Sequence, residues 1–136
     1  PTYNVNSCFG TFPFPDGLTL DLAPAEYSNS QAESIADAAR ELVSLRNKWL
    51  NPSEWTEVVS EVADGYPDRV VSRDGHEDDL KTRTLTDLYN QKPAWLEHAH
   101  RKLDEAVAAA YGWPVDLSDE QILSNLLELN FSRESA

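Results

Sequence analysis

Imidazole, thiol and carboxylate groups are the first places to look for chemistry in this chain of 136 residues. Two of its three histidines, His98 and His100, stand two apart in a stretch of helical periodicity. Their side chains therefore diverge by about 200° and cannot share a metal ion, which on a helix needs i, i+4 spacing. His76 lies beside Glu77, Asp78 and Asp79, a run without the alternating ligand positions of a calcium loop. The one cysteine, Cys8, precedes Phe9 in an apolar stretch and reads as a buried, inert thiol. A single cysteine makes neither an intrachain disulfide nor a cysteine zinc cluster. The five glycines, at positions 10, 17, 65, 75 and 112, are too scattered to cradle a phosphate. Carboxylates are abundant, but they read as solvated helix faces. No catalytic, cofactor-binding or metal-ligating residue is assigned.

One stretch runs against the overall charge. Between Lys81 and Lys102 the basic residues Lys81, Arg83, Lys92, Arg101 and Lys102 outnumber Asp87 and Glu97, in a chain whose net charge is −13. These five are candidate contacts to phosphates; the alternative is pairing with acidic surface elsewhere in the same protein. A net charge of −13 argues against an autonomous nucleic-acid binder. It fits a solvated helical module, or part of a larger protein whose cationic surface lies elsewhere.

The elements that position these groups are read from periodicity. Residues 1–27 are rich in Pro, Gly and aromatics, with Phe9, Phe12 and Phe14 around Pro13 and Pro15, and predict an extended arm over an apolar surface. Ser30 and Glu33 form a capping-box signature ahead of a helix carrying Ile35, Ala38, Ala39, Leu42, Leu45 and Trp49 on one face. Asn51-Pro52 ends it. A short helix is expected next, with Trp55, Val58, Val59 and Val62 on one side, then an acidic loop from about 63 to 79. Helical pattern resumes from Leu80 to Tyr89, and Pro93 suits the first turn of a further helix through Ala110. Gly112 is expected to cap that helix in the left-handed conformation. A second capping box, Ser118 to Gln121, opens a last helix with an apolar stripe of Ile122, Leu123, Leu126, Leu127 and Leu129. The predicted fold is all-α: four to five helices over residues 28–136, preceded by the arm. No apolar run approaches the ~18–20 residues of a membrane span. A soluble protein of a reducing compartment is expected, with no membrane partner.

At Thr84-Leu-Thr-Asp-Leu-Tyr-Asn-Gln-Lys-Pro-Ala-Trp-Leu96, with Ala99-His100, Leu103-Asp104, Ala106-Val107 and Ala110-Tyr-Gly-Trp-Pro114, the chain resembles the C-terminal region of MmeI-like, type IIG restriction-modification DNA methyltransferases. Asp116 to Leu123 and Leu126 to Asn130 continue the likeness. Asn6 to Phe9 and Thr11 to Pro15 resemble the exit from that family's target-recognition region, so residues 1–27 are expected to close that region. Trp49 to Pro52 with Glu54-Trp55 resembles the helical link after it. Only the acidic loop stands outside the likeness.

The resemblance implies a parent enzyme, bacterial and cytoplasmic, that transfers a methyl group from S-adenosylmethionine to an adenine amino nitrogen in a defined DNA site. Such chemistry needs a glycine-rich cofactor loop and an Asn/Asp-Pro-Pro-Tyr/Phe motif around the flipped base. The chain has neither. Asn51-Pro52-Ser53-Glu54 lacks the second proline and the stacking aromatic, and it follows a helix in the link region. The chain is thus expected to be a non-catalytic C-terminal domain that holds no cofactor itself. Its partners are the upstream methyltransferase and target-recognition domains and, through them, duplex DNA. Pro1 and the lack of any methionine suit a fragment, or a trimmed N-terminus. A free-standing acidic helical module, or a mimic of DNA, is the alternative that the charge favours.

Overall fold

The computed structural model describes residues 12–19, 22–26 and 30–135. Among these, five α-helices are formed: α1 Ser30–Leu50, α2 Glu77–Leu80, α3 Leu85–Gln91, α4 Ala94–Tyr111 and α5 Asp119–Glu134. Between the first two lies an antiparallel hairpin of β1, Thr56–Val59, and β2, Arg69–Ser72. The fold is mostly helical, not all-α. Its contacts divide the chain into two units, Ala36–Leu103 and Pro1–Ile35 with Asp104–Ala136.

The hairpin replaces the helix expected after Trp55 and part of the expected loop. Its register pairs Thr56 with Ser72, Glu57 with Val71, Val58 with Val70 and Val59 with Arg69. β-Branched side chains explain the outcome. Thr56, Val58, Val59, Val70 and Val71 have restricted χ1 rotamers that fit a pleated strand better than a helix. Trp55 and the three valines match helical spacing, yet the run is too short for amphipathicity to outweigh that preference. The strands are tied to the end of α1. Thr56, only 7% exposed, donates its hydroxyl to the Pro52 carbonyl at 2.8 Å, and Arg73 N–H donates to the Trp55 carbonyl at 2.8 Å.

In the Ala36–Leu103 unit the core is built from Leu42 of α1, Leu88 of α3, and Leu96 and Ala99 of α4. Leu45, Trp49, Tyr89, Trp95 and Leu103 pack around it. The apolar stripe expected on α1 thus faces inward, with Ala38 and Leu42 buried. The stretch from Leu80 to Tyr89 is not continuous helix. Leu80 ends α2, and Thr84 starts α3 afresh with a capping box: its hydroxyl accepts from Asp87 N–H at 3.1 Å, and Asp87 Oδ2 accepts from Thr84 N–H at 3.2 Å. Pro93 stands just before α4, its carbonyl accepting from Leu96 N–H at 2.9 Å. α2 and the short β2 occupy the segment expected to be an acidic loop.

In the other unit, the strap from Phe12 to Asp16 is held through its backbone. Tyr111 Oη donates to the Pro13 carbonyl at 2.8 Å, and Arg133 donates to the Phe14 carbonyl at 2.6 Å and to Asp16 Oδ1 at 2.8 Å. Pro13 and Pro15 are buried, and Phe12 meets Phe14 edge to face at 4.9 Å. The expectations for Cys8 and Phe9 fall outside the described residues. Burial raises the Tyr111 phenol above its ordinary pKa, against the opposing charge of Arg133.

α4 ends as expected at Gly112, whose φ is 74°. Gly112 N–H donates to Ala109 O and Trp113 N–H to Ala108 O, both at 3.0 Å, which is the Schellman pattern. An added Cβ at Gly112 would meet no atom within 4 Å, so the penalty for a side chain is one of backbone conformation alone. Gly112→Ala is expected to lower stability by about 1–2 kcal/mol, measured by thermal melting. A neutral result would show that the turn relaxes to negative φ.

The capping box expected at α5 is present: Ser118 Oγ accepts from Gln121 N–H at 3.3 Å, and Gln121 Oε1 from Ser118 N–H at 2.9 Å. The expected apolar stripe, however, is not buried. Leu123, Leu127 and Phe131 are 67%, 56% and 58% exposed, while Leu126 and Leu129 are half-buried.

Candidate nucleic-acid interface

The five candidate phosphate contacts belong to the Ala36–Leu103 unit, and most of them are engaged inside it. Lys81, just past α2, donates to Asp78 Oδ1 at 2.6 Å. Arg101 lies 3.5 Å from Glu97 one turn earlier on α4, and Lys102 pairs with Glu41 of α1. These three pairs are substantially exposed, so each contributes little to stability. Lys92 ends α3 with φ 44° and makes no ion pair among the described residues.

Arg83 behaves differently. Its guanidinium lies 4.4 Å from the ring centre of Trp49 and 4.9 Å from that of Trp55, and Nη1 donates to the Trp49 carbonyl at 3.4 Å. His76 stacks on Trp55 at 5.9 Å, with Nδ1 2.8 Å from Asp79 Oδ2. Trp49, Arg83, Trp55 and His76 thus form a layered stack that joins the end of α1 to the start of α2. The residues read as an open acidic cluster are engaged locally as well: Glu77 accepts from Gly75 N–H at 3.1 Å, Asp78 pairs with Lys81 and Asp79 with His76.

The two histidines of α4 diverge as their spacing requires. His98 is exposed, whereas His100 Nε2 lies 2.6 Å from Tyr89 Oη. Arg46 Nη1 donates to the same phenol oxygen over a long 3.5 Å. The Arg46 Nε is buried without a partner among the described residues. This polar trio links α1, α3 and α4. Sequence reading missed it because Arg46 and Tyr89 are 43 positions apart, with no local signal to join them. No cluster of three or more His, Cys, Asp or Glu suited to a metal occurs among the described residues. Nor, among them, is any helix long and apolar enough to cross a membrane. Asn51-Pro52-Ser53-Glu54 is a turn closing α1, in which the Pro52 carbonyl accepts from Trp55 and Thr56 N–H at 2.9 and 3.0 Å.

Lys102 sets the ionisation of Glu41. Its hydrogen bond, and then its charge, hold that carboxyl below the ordinary glutamate value. A lowered pKa contributes stability above the unfolded-state value, lost as pH falls through the folded-state value. Carboxyl-detected NMR titration is expected to place Glu41 below the ordinary glutamate value, and Lys102→Met to raise its midpoint. An unchanged midpoint in Lys102→Met would show that the pair does not persist in solution.

Comparison with protein-family models, with curated proteins and with solved structures finds no match to this chain.

Proposed function

We propose that the chain is a non-catalytic C-terminal helical domain of an S-adenosylmethionine-dependent, site-specific adenine DNA methyltransferase of the restriction-modification type. In this reading it braces the target-recognition region and helps to clamp DNA. The observation that carries the proposal is the resemblance of Thr84–Leu96, with Ala110-Tyr-Gly-Trp-Pro114, to the C-terminal text of that family. What those residues do in the fold supports a bracing role. Leu88, Leu96 and Ala99 are core residues, Gly112 turns the chain, and Tyr111 stacks on Trp113 at 4.3 Å. The likeness therefore lies in residues that build rather than in residues that react.

The test has two parts. The reading frame upstream of Pro1 is expected to encode a glycine-rich cofactor loop and an Asn/Asp-Pro-Pro-Tyr/Phe motif. Deleting residues 28–136 from that parent polypeptide is expected to weaken duplex binding while S-adenosylmethionine binding and site preference persist. A start codon close to Pro1, with neither motif upstream, would favour the acidic adaptor instead. Unchanged DNA affinity after the deletion would remove the clamping role.

A further inference from the structure

Carboxylates outnumber basic residues by 24 to 11, yet two cations beside one groove have no carboxylate partner among the described residues. They are Lys48 of α1 and Arg73, just past β2. The groove, of about 1320 Å³, runs between α1 and the hairpin, wholly within the Ala36–Leu103 unit. Arg73 is tethered at one nitrogen: its single Nε hydrogen is shared between the carbonyls of Thr56 at 2.9 Å and Ser53 at 3.2 Å. That leaves its two Nη groups for a ligand in the groove. Along α1 and its end, Ser44, Asn47, Lys48 and Asn51 all line the same groove at intervals of three and four, so their donors form one row. The apolar part of the lining is Val43, Val58 and Val70, each about half exposed or more.

We infer that this groove, and not the Lys81–Lys102 stretch, takes the sugar-phosphate backbone of duplex DNA. The inference rests on the DNA-clamping reading above. Lysine, arginine, serine and asparagine side chains are the usual donors to phosphate oxygens, and a row of them beside a tethered guanidinium supplies register without reading sequence. The valines offer a surface for deoxyribose carbons. By contrast, Lys81, Arg101 and Lys102 each have a carboxylate partner to displace and Arg83 lies against two indole rings, which leaves Lys92 as the one unpaired cation of those five among the described residues. Glu57 also lines the groove without an ion pair. It disfavours a bound anion locally, so its removal is a separate test of the same site.

The experiment is anisotropy of a labelled 30-base-pair duplex, titrated with the 136-residue chain at several salt concentrations. Lys48→Glu is expected to reduce affinity at least fivefold, and Lys48→Gln to lower the salt slope by about 1. Glu57→Gln is expected to raise affinity. Arg101→Glu with Lys102→Glu is expected to change it less than twofold, with circular dichroism confirming that each variant folds. The opposite ranking would overturn the groove as the contact while leaving the clamping reading intact. Absence of duplex binding even at low salt would overturn the groove, and unchanged DNA affinity on deleting residues 28–136 from the parent would overturn the reading itself. Groove-dependent binding of polyglutamate in preference to DNA would also refute it, by identifying an acidic polypeptide as the occupant.

Discussion

Leu88→Ala is expected to destabilise the protein by roughly 2–5 kcal/mol, the range for emptying a well-packed leucine site. Leu88 is fully buried and is the largest such side chain among the described residues. It sits between Leu42 of α1 and Leu96 and Ala99 of α4, so its removal opens a hole where three helices meet. Ala99 is too small to fill it, and Leu42 and Leu96 are themselves fixed by burial. Domains of this size have total stabilities of about 5–15 kcal/mol, so the loss is a large fraction of what is available. Urea denaturation followed by tryptophan fluorescence reads it directly, because Trp49 and Trp95 pack against this core. Val107→Ala, at a site 36% exposed on α4, is the control and should cost much less. Equal effects at the two sites would mean that the core lies elsewhere.

The second large effect is expected at Arg83, where sequence and structure assign different work to one residue. As a phosphate contact it should be replaceable by lysine with little effect on stability. As the middle of the Trp49–Arg83–Trp55 stack it should not. Each cation–π contact contributes about 0.5–2 kcal/mol depending on its desolvation, so Arg83→Ala is expected to cost roughly 1–4 kcal/mol. Lysine lacks the flat guanidinium that lies against two rings at once, so Arg83→Lys should recover less than half of that loss. Denaturation midpoints of the two variants provide the comparison. Full recovery by lysine would show that charge, not stacking, is what the site requires, and would return Arg83 to the list of phosphate contacts.

Where local rules decide the structure, the sequence was readable. The inward face of α1, its end before Pro52, the capping box at Ser118 and the left-handed Gly112 all follow from spacing or backbone preference within a few residues. The hairpin was missed because Val58, Val59 and Val62 satisfy helical spacing by coincidence, while its pairing joins residues on either side of a long connection. α5 shows the reverse limit: its apolar residues spread too far around the helix to make one face, so Leu123, Leu127 and Phe131 lie largely exposed while Leu126 and Leu129 are half-buried. A run rich in leucine is not by itself a stripe.

The candidate interface was legible only as a count of charges. Lys81 with Asp78, and Arg101 with Glu97, lie three and four positions apart and could have been paired from sequence. Glu41 with Lys102 spans 61 positions and could not. The groove beside Lys48 and Arg73 likewise depends on the hairpin, whose β-branched strand residues also fit a helical spacing.

The central claim is that these helices brace a methyltransferase whose cofactor site lies in other polypeptide. Isothermal titration of S-adenosylmethionine into the purified 136-residue chain tests it most directly. No saturable heat is expected, and no methyl transfer to duplex DNA when the labelled cofactor is supplied. Uptake of one equivalent, or turnover, would contradict the account.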